Sequence, residues 1–486
     1  MANTLETPPS QDEQVVEAVR RARDAQAHAR GFTQREVDDV VRAVGWACYE
    51  EGHARALAEC SVRETHIGNE TDRVNKVRRK ALMMMRDLDG APSVGVVFSD
   101  PETGITRIAK PVGVVAALCP STHPATDLMA KAMMVLKGRN AMIASPSPSA
   151  VETSELTCEL IRDELSRLGA PSDLLQVLRR PSKASAAELM QSCDMVAVTG
   201  SARNVRSAYS SGTPAVAGGA GNVPILIDSS ADCAKVAADI SLSKTFDYGT
   251  ACSSESELLI HSSVYDDMLA QLVKHGGVLL SLSEKQKLAE AIWPGGKINP
   301  QLVGRSAATI AAAAGISLER DHAKTFFIVE EDEVGAGVPF SGEKLSVSLA
   351  VYRYDTDEEA GARIKQILAH MGAGHSFGIH TANIEAAHQL GEAVDVARVI
   401  VNQPQGPAEA GSFTNGLPAT MILGCGTWGG NNVSGNVTYQ HFLNFTTIAE
   451  PLPEKVPSEE ELWGDYLRTH HSARPMEKLE GSSNGE

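Results

Sequence analysis

The feature that most constrains the fold is a regular alternation of short apolar runs with longer amphipathic segments between residues 112 and 227. Continuous apolar strands separated by helices are typical of a parallel sheet whose two faces are both covered. The sequence therefore predicts an α/β fold in this part of the chain. The strand candidates are Val112–Leu118, Ala141–Ala144, Leu174–Leu178, Met195–Val198 and Pro224–Ile227.

A second α/β unit is predicted after residue 252. Its strand candidates include Leu258–Ile260 and Thr325–Val329, and Ala307–Ala314 is a helix candidate. Ahead of the first sheet, the turn Asp100–Gly104 separates two alternating runs and predicts a hairpin at about residues 94–108. We interpret this hairpin as an arm for subunit contacts and expect a homodimer or homotetramer.

Both ends of the chain carry local signals. Thr33 and Glu36 form a capping box that predicts the start of a helix. From Glu450 onward the chain is rich in Pro and Glu, which predicts an acidic surface tail with a disordered end at residues 481–486.

Charge and composition exclude several partners. The net charge of -17 is spread along the chain without a Lys/Arg block, so nucleic acid is not expected. No run of about eighteen apolar residues predicts a membrane span, and Met1–Gln14 lacks the apolar core of a signal peptide. The eight cysteines form no CxxC pair and no Cys/His cluster, so we expect a cytoplasmic protein with reduced thiols and no metal.

Cys252 stands out among the cysteines because of its neighbours. It lies in Thr250–Glu255, a short polar stretch between a helical run and the strand Leu258–Ile260. A thiol with small polar neighbours at the mouth of a sheet can be reached by a substrate, so Cys252 is the candidate nucleophile. The alternative is a buried structural cysteine, which is how we interpret Cys425 in its glycine run.

Several separated segments resemble the aldehyde dehydrogenase superfamily and, within it, the CoA-acylating branch. The resemblance implies an aldehyde dehydrogenase-like fold with a parallel-sheet, nucleotide cofactor-binding domain at residues 1–245. It also implies an α/β catalytic domain with the nucleophilic cysteine at residues 246–430, followed by a C-terminal segment and tail at 431–486. The segments that carry it are Pro120–Pro124, Ser145–Pro148, Val198–Ser201, Gly218–Pro224, Phe246–Glu257, Glu343–Ser346 and Gly424–Asn431.

The resemblance also implies a reaction. Cys252 would attack the aldehyde carbon, a hydride would pass to NAD(P)+, and coenzyme A would release the acyl group from a cysteine thioester. Hydrolytic relatives carry a glutamate base in a motif that aligns on the run before Pro224 and puts Gly218 at the glutamate position. Because a missing base disables attack by water, an acylating enzyme is predicted. A hydrolytic dehydrogenase and a non-catalytic relative, such as cargo of a protein shell, are the alternatives.

His123 departs from the family pattern. The family usually has Asn at this position, and the Asn amide donates a hydrogen bond to the oxyanion together with the backbone N–H of the cysteine. His123 either keeps that role with a new pH dependence or binds an anionic group of the substrate. A loop histidine that faces solvent is the alternative without a function.

The same resemblance assigns the cofactor site. The Ser145-Pro146 motif replaces a lysine-containing motif of hydrolytic relatives near the adenosine ribose, and the choice between NAD and NADP stays open. Ser201 would begin a helix beside the diphosphate, and Glu343 matches a glutamate that bonds the nicotinamide ribose. The cofactor residues assigned in this way are Ser145, Pro146, Gly200, Ser201, Gly221 and Glu343.

The expected substrates are a small aldehyde and coenzyme A. The stretches Lys244–Asp247, Cys252–Glu255 and Ala208–Ala215 are most similar to those of branch members that act on sulfoacetaldehyde. Sulfoacetaldehyde is therefore the predicted substrate, with acetaldehyde or another short aldehyde as the alternative. No cationic pair marks a sulfonate site, and the candidates for one are His123, Arg203 and Lys244.

Overall fold

The computed structural model of the chain describes residues 11–318 and 324–471. The predicted capping box is confirmed, because the Glu36 N–H donates to Thr33 Oγ1 and the Thr33 N–H donates to the Glu36 carboxylate. The predicted hairpin is confirmed by the first two strands. The opening elements are α1 (Gln11–Ala29), α2 (Gln34–Tyr49), α3 (Glu51–Thr65), α4 (Glu70–Leu88), β1 (Gly95–Asp100) and β2 (Ile105–Pro111).

The first parallel sheet follows the predicted alternation. Its elements are β3 (Val114–Cys119), α5 (Pro124–Lys137), β4 (Ala141–Pro146), α6 (Val151–Arg167), β5 (Leu175–Val177), α7 (Lys183–Ser192), β6 (Met195–Thr199), α8 (Ala202–Tyr209) and β7 (Ala215–Gly218). The strand order is β5-β4-β3-β6-β7, and every pair is parallel. Every residue of β3 and β4 is buried, so both faces of the sheet are covered in its centre.

A second parallel sheet confirms the second predicted α/β unit. Its strands run in the order β10-β11-β12-β9-β8-β13-β14. The elements are β8 (Val223–Ile227), α9 (Cys233–Thr245), β9 (Glu255–His261), α10 (Tyr265–Lys274), β10 (Gly277–Leu279), α11 (Leu282–Ile292), α12 (Ala307–Ala314), β11 (Phe326–Glu330), β12 (Ser348–Tyr354), α13 (Asp357–His370), β13 (Phe377–His380), α14 (Ile384–Ala393), β14 (Val399–Val401) and α15 (Gln405–Glu409).

The sequence groups Pro224–Ile227 with the first sheet, and that grouping is wrong. This strand is β8, which pairs with β9 and β13 in the second sheet. Pro224 has no amide hydrogen for a ladder bond, and the register shifts between Val223 and Pro224, an irregularity that accommodates a proline in a central strand. A short apolar strand carries no signal for which of two sheets it joins.

The connection between the sheets decides which strand ends come together. β7 ends at Gly218 and β8 begins at Val223. A chain of this length spans at most roughly 18 Å. The carboxyl edge of the first sheet therefore lies near the amino edge of the second. Loops that follow β3, β4 and β6 can share one site with loops that precede β8, β9 and β13.

The end of the described chain contains β15 (Leu423–Cys425), β16 (Ser434–Asn436), β17 (Leu443–Ala449) and α16 (Glu459–His470). The predicted tail thus contains a helix, which Ser458 and Glu461 cap. The predicted disorder at residues 481–486 lies outside the described residues. Among the described helices, none combines the length and the apolar character that a membrane span requires.

The chain separates into two compact units. Among the described residues, one comprises 11–95, 109–318 and 324–445, and the other comprises 96–108 and 446–471. In the second unit, β1, β2 and β17 form a three-stranded sheet. Both parallel sheets lie in the first unit, so the boundaries after residues 245 and 430 stay a prediction.

Candidate active site

Cys252 is the only one of the eight cysteines that is partly exposed. All eight cysteines are described, and the other seven are buried. Cys252 lies in a tight turn, closed by the Ser254 N–H donating to Ala251 O at 3.0 Å, directly before β9. Exposure therefore favours Cys252 as the nucleophile over the buried Cys425.

The chain enters this turn through three consecutive left-handed residues. The φ angles are 50° at Asp247, 56° at Tyr248 and 69° at Gly249. Such a conformation costs free energy at the non-glycine positions and persists only where surrounding contacts hold it. The carboxylate of Asp247 supplies those contacts: it accepts hydrogen bonds from the Asn69 backbone N–H at 3.1 Å and from Thr250 Oγ1 at 3.1 Å.

Gly221 lies between Cys252 and Glu343. Its backbone N–H donates to Glu343 Oε1 at 3.2 Å. A Cβ at this position would lie 2.0 Å from the carbonyl oxygen of Cys252 and 3.2 Å from Cε1 of His375. Only glycine allows this close approach. The structure thus brings together three residues that the sequence assigns to the site, Cys252, Gly221 and Glu343, and adds His375.

Replacing Gly221 with alanine is expected to lower turnover by about 10²-fold, because the methyl group must displace the Cys252 backbone from its reactive position. Gly219→Ala is the matched control, since a Cβ there meets only Cys425 Sγ, at an ordinary 3.7 Å. Steady-state rates of both variants check this prediction. Equal rates in the wild type and Gly221→Ala would contradict the close approach.

The electrostatic surroundings keep the thiol neutral at rest. Burial raises the pKa of the Cys252 thiol, and the carboxylates of Glu343 and Glu409 raise this pKa further. Burial also raises the pKa of Glu343, to about 7. Because the thiolate is the nucleophile, the site needs a base that takes the thiol proton.

His375 is the candidate base. It precedes β13 and is completely buried. Its Nδ1 lies 3.0 Å from Ser376 Oγ, and that hydroxyl donates to Glu409 Oε2 at 2.8 Å. Since a hydroxyl has one hydrogen, which Ser376 gives to the carboxylate, Ser376 Oγ must accept from Nδ1–H. Nε2 is then unprotonated, and it has no hydrogen-bond partner among the described residues.

The protonation state of His375 suits a base. Burial lowers its pKa below the ordinary value for histidine, although Glu409 opposes this shift. The Glu409 Oε1 atom lies 3.1 Å from Nδ1 and can stabilise the imidazolium that forms when Nε2 takes a proton. His375 is therefore neutral at neutral pH and keeps its accepting lone pair on Nε2.

The resemblance puts Gly218 at the position of the glutamate in hydrolytic relatives, and the structure leaves no room for a side chain there. Gly218 is the last residue of β7 and is buried. A Cβ would lie 2.7 Å from the backbone nitrogen of Leu423 and 3.1 Å from its carbonyl oxygen. The backbone around β15 thus fills the space that a general base would need.

His123 is the N-cap residue of α5, is buried, and makes no capping hydrogen bond with its side chain. The His123 Nδ1 atom lies 3.2 Å from Lys76 Nζ, and the same Nζ lies 3.4 Å from Thr250 Oγ1, two residues before the nucleophile. Burial, followed by Lys76 and Arg73, holds the pKa of His123 well below its usual value. The imidazole is thus neutral, and an imidazolium that titrates near neutral pH is excluded. Burial also excludes a solvent-facing loop histidine.

The other predicted cofactor residues lie along the carboxyl edge of the first sheet. Ser145 and Pro146 end β4, which pairs with β3, and Ser201 is the N-cap of α8, directly after Gly200. Within the described chain, no hydrogen bond or ion pair joins these four residues directly to Cys252 or Glu343. They lie near the site because the carboxyl edge of the first sheet is close to the amino edge of the second.

The structure argues against two of the three candidate residues for binding a sulfonate. Lys244 is 1% exposed, burial lowers its pKa to about 7, and its Nζ donates to the carbonyl of Glu255 at 2.7 Å, so its side chain is committed within the core. Arg203 is exposed on α8, on the side of the site where the cofactor diphosphate is expected. His123 is the candidate that remains next to the nucleophile's loop.

Sequence reasoning missed Lys76, Asp247 and His375 as parts of the site. His375 precedes β13, and a polar residue ahead of a strand is a weak signal of the kind that singled out Cys252. Lys76 looks like one more cation on an amphipathic helix, and its partners His123 and Asp247 are distant in sequence. No periodicity or spacing in the chain indicates those contacts.

Comparison with known proteins points to aldehyde dehydrogenases throughout. The model of the aldehyde dehydrogenase family matches residues 2–312. The chain is 46% identical to "Sulfoacetaldehyde dehydrogenase (acylating)" of Cupriavidus necator, over 94% of this chain and 92% of that protein. A protein of the same name from Bilophila wadsworthia is 39% identical, over 94% of this chain and 99% of its own length.

Among solved structures, an acetylating aldehyde dehydrogenase from Geobacillus thermoglucosidasius superimposes with a TM-score of 0.88. It is 35% identical in sequence, and the match covers 92% of this chain and 98% of the other. The predicted fold class is thus confirmed, with two parallel sheets arranged as in an enzyme of this kind.

Proposed function

The chain belongs to the aldehyde dehydrogenase family, and from that membership we propose that it oxidises a small aldehyde to its coenzyme A thioester with NAD(P)+. Sulfoacetaldehyde is the proposed substrate, with acetaldehyde or another short aldehyde as the alternative. One observation carries the acylating activity: the backbone of Leu423 leaves no room at Gly218 for a water-activating carboxylate.

Cys252 supplies the nucleophile of the first step. Because its pKa is raised, the thiol proton must leave as sulfur attacks the carbonyl carbon, and Nε2 of His375 is the acceptor that we assign. The new carbon–sulfur bond moves the carbonyl electrons onto oxygen. The backbone N–H of Cys252 and the ring N–H of His123 would donate to that oxyanion.

The residues around the cofactor site fit NAD(P)+. Ser201 starts α8 at the carboxyl end of β6, where a helix N-terminus favours a diphosphate. A Cβ at Gly200 would lie 3.2 Å from the side-chain nitrogen of Asn204, which is a tight contact, so glycine leaves more room at this helix start than a larger residue would. The Glu343 carboxylate, held by Gly221 N–H, can accept from a ribose hydroxyl. When bound, NAD(P)+ accepts the hydride from the carbon attached to sulfur.

Acyl transfer uses the same base a second time. Between the two steps His375 releases the proton taken from Cys252 to solvent, which is the proton released in the overall reaction. Nε2 of His375 then takes the proton of the coenzyme A thiol, and that sulfur attacks the thioester carbon of acylated Cys252. The bond to the Cys252 sulfur breaks, and the proton returns from His375 to the departing thiolate. Without a carboxylate at Gly218, water has no comparable base, so the acyl group leaves with coenzyme A.

The identity of the aldehyde is tested by product analysis. Purified protein is given sulfoacetaldehyde or acetaldehyde together with coenzyme A and NAD or NADP, and the products are identified by mass spectrometry. We expect the acyl-CoA of sulfoacetaldehyde to form fastest. A free acid as the main product would contradict the acylating activity, and faster conversion of acetaldehyde would move the substrate assignment to the alternative.

The proposed assembly is a homodimer or homotetramer in the cytoplasm. The hairpin of β1 and β2 supports the assembly, because its strands expose Val96 and Phe98. Eight free cysteines support a reducing compartment. Light scattering on the purified protein measures the oligomeric state directly, and a monomer would contradict this assignment.

A further inference from the structure

Lys76 links the position that departs from the family to the loop of the nucleophile. It lies on α4, and its side chain is 13% exposed. Its Nζ contacts a carboxylate oxygen of Asp247, Nδ1 of His123 at 3.2 Å and Oγ1 of Thr250 at 3.4 Å. An ammonium group has three N–H donors, and these three acceptors account for all of them.

This geometry determines the tautomer of His123. Burial lowers the pKa of Lys76, but its ion pair with the buried carboxylate of Asp247 opposes that shift and favours the ammonium. An ammonium donates hydrogen bonds and accepts none, so Nδ1 of His123 presents its lone pair to Nζ. In a neutral imidazole, the single ring proton then lies on Nε2. The ring is neutral because it is buried and because Lys76, Arg73 and Lys80 of the same helix disfavour a second positive charge.

Asp247 keeps the ammonium in place. Its carboxylate is completely buried and also forms an ion pair with Arg73, whose Nε lies 3.3 Å from Oδ1. Thr250 Oγ1 donates to Oδ2 of Asp247 at 3.1 Å, so the same carboxylate anchors the loop that leads to Cys252. A shift of Lys76 would therefore change both the ring proton of His123 and the start of that loop.

We infer that Lys76 is a positioning residue that holds His123 as the Nε2–H tautomer, so that the ring donates a hydrogen bond to the oxyanion formed at Cys252. This inference rests on the proposed function, in which His123 takes the role of the family's asparagine. An asparagine amide always has an N–H to donate, whereas a neutral histidine has one only on the correct nitrogen. The exchange of Asn for His at this position therefore needs a partner such as Lys76.

A double-mutant cycle tests the inference. The variants are Lys76→Met, His123→Asn and the double variant, assayed for kcat with sulfoacetaldehyde and with acetaldehyde. In the His123 background, we expect Lys76→Met to lower kcat by about 10-fold or more, towards the 10²-fold or greater loss typical of a missing oxyanion donor. In the His123→Asn background, the same change should lower kcat by less than about 3-fold, because an amide has no tautomer to lose.

Two outcomes of the cycle would overturn the inference. An equal loss in both backgrounds would mean that Lys76 only supports the fold around Asp247. A loss confined to sulfoacetaldehyde and expressed as a raised KM would mean that Lys76 binds the sulfonate. Lys76→Gln is the second variant if Lys76→Met folds poorly, because its amide keeps a donor near Nδ1 and should recover part of kcat.

Nitrogen-15 NMR of histidine-labelled protein gives a readout that does not depend on activity. The His123 signals, assigned by their absence in His123→Asn, should report a protonated Nε2 and an unprotonated Nδ1 in the wild type and a mixture of tautomers in Lys76→Met. A protonated Nδ1 in the wild type would overturn the inference. The predicted tautomer in a protein that oxidises no aldehyde would refute the proposed function instead and leave only the control of the His123 tautomer by Lys76.

Discussion

Cys252→Ala is expected to reduce aldehyde oxidation by at least about 10⁴-fold while leaving the fold and nucleotide binding unchanged. The covalent route requires a sulfur at this position, and Cys252 is the only partly exposed cysteine, the other seven being buried. Reduced-nucleotide formation measures the rate, and calorimetric titration with NAD and NADP measures binding. Turnover at the wild-type rate would refute the mechanism.

Cys425→Ala is the matched control for that variant. Cys425 is 2% exposed, its Sγ donates to the carbonyl of Leu423 at 3.4 Å, and burial raises the pKa of its thiol. We expect its replacement to cost stability, through the lost packing, and to leave the rate per folded molecule within about 3-fold of the wild type, as for a cysteine outside the chemistry. A loss as large as that of Cys252→Ala would make Cys425 a second essential thiol.

His375→Gln is expected to slow acyl transfer to coenzyme A by about 10²–10⁴-fold, the usual contribution of a general base. Nε2 of His375 is the unpartnered ring nitrogen that lies near Gly221 among the described residues, and it can take the proton of a thiol. The first step, acylation of Cys252, should slow as well, because the same base serves both thiols. Rapid-mixing measurements of nucleotide reduction, with and without coenzyme A, separate the two steps.

His380→Gln is the control for His375. His380 ends the same strand, β13, and burial lowers its pKa to about 4, so it is also a neutral buried histidine. The two lie at opposite ends of the strand, roughly 16 Å apart along the chain. The His380 variant should keep wild-type kinetics per folded molecule. If both variants lost acyl transfer equally, the effect would come from the strand and not from a base at position 375.

Much of the fold could be predicted from the sequence because a parallel sheet produces a simple hydrophobic pattern along the chain. Strands buried on both faces, such as β3 and β4, read as unbroken apolar runs, and amphipathic helices separate them. The grouping failed at β8, where the chain passes from one sheet to the next within residues 219–222. Pairing partners are decided by tertiary contacts, and Pro224–Ile227 is apolar enough for either sheet.

The residues of the site also fall into those that the sequence could predict and those that it could not. Cys252, Gly221 and Glu343 lie in local motifs, so the resemblance finds them, and the structure joins them through the Gly221 amide and its close approach to Cys252. Lys76 and His375 act through contacts with residues that are distant in sequence. Their identity as a lysine on a helix and a histidine before a strand predicts neither role.

The two histidines of the site have opposite tautomers, and that contrast organises the proposed chemistry. His123 receives a hydrogen bond on Nδ1 from Lys76 and so carries its proton on Nε2. His375 donates from Nδ1 to Ser376 and so keeps Nε2 free. One ring is therefore prepared to donate to an oxyanion and the other to accept a proton from a thiol.

The measurement that tests the central claim most directly is a single-turnover experiment without coenzyme A. Wild-type protein, sulfoacetaldehyde and the preferred nucleotide are mixed, and reduced nucleotide and intact protein mass are followed together. We predict a burst of one equivalent of reduced nucleotide, a stable acyl adduct on Cys252, and release of that adduct as acyl-CoA when coenzyme A is added. Continuous nucleotide reduction without coenzyme A would contradict the account, since water would then be able to cleave the thioester.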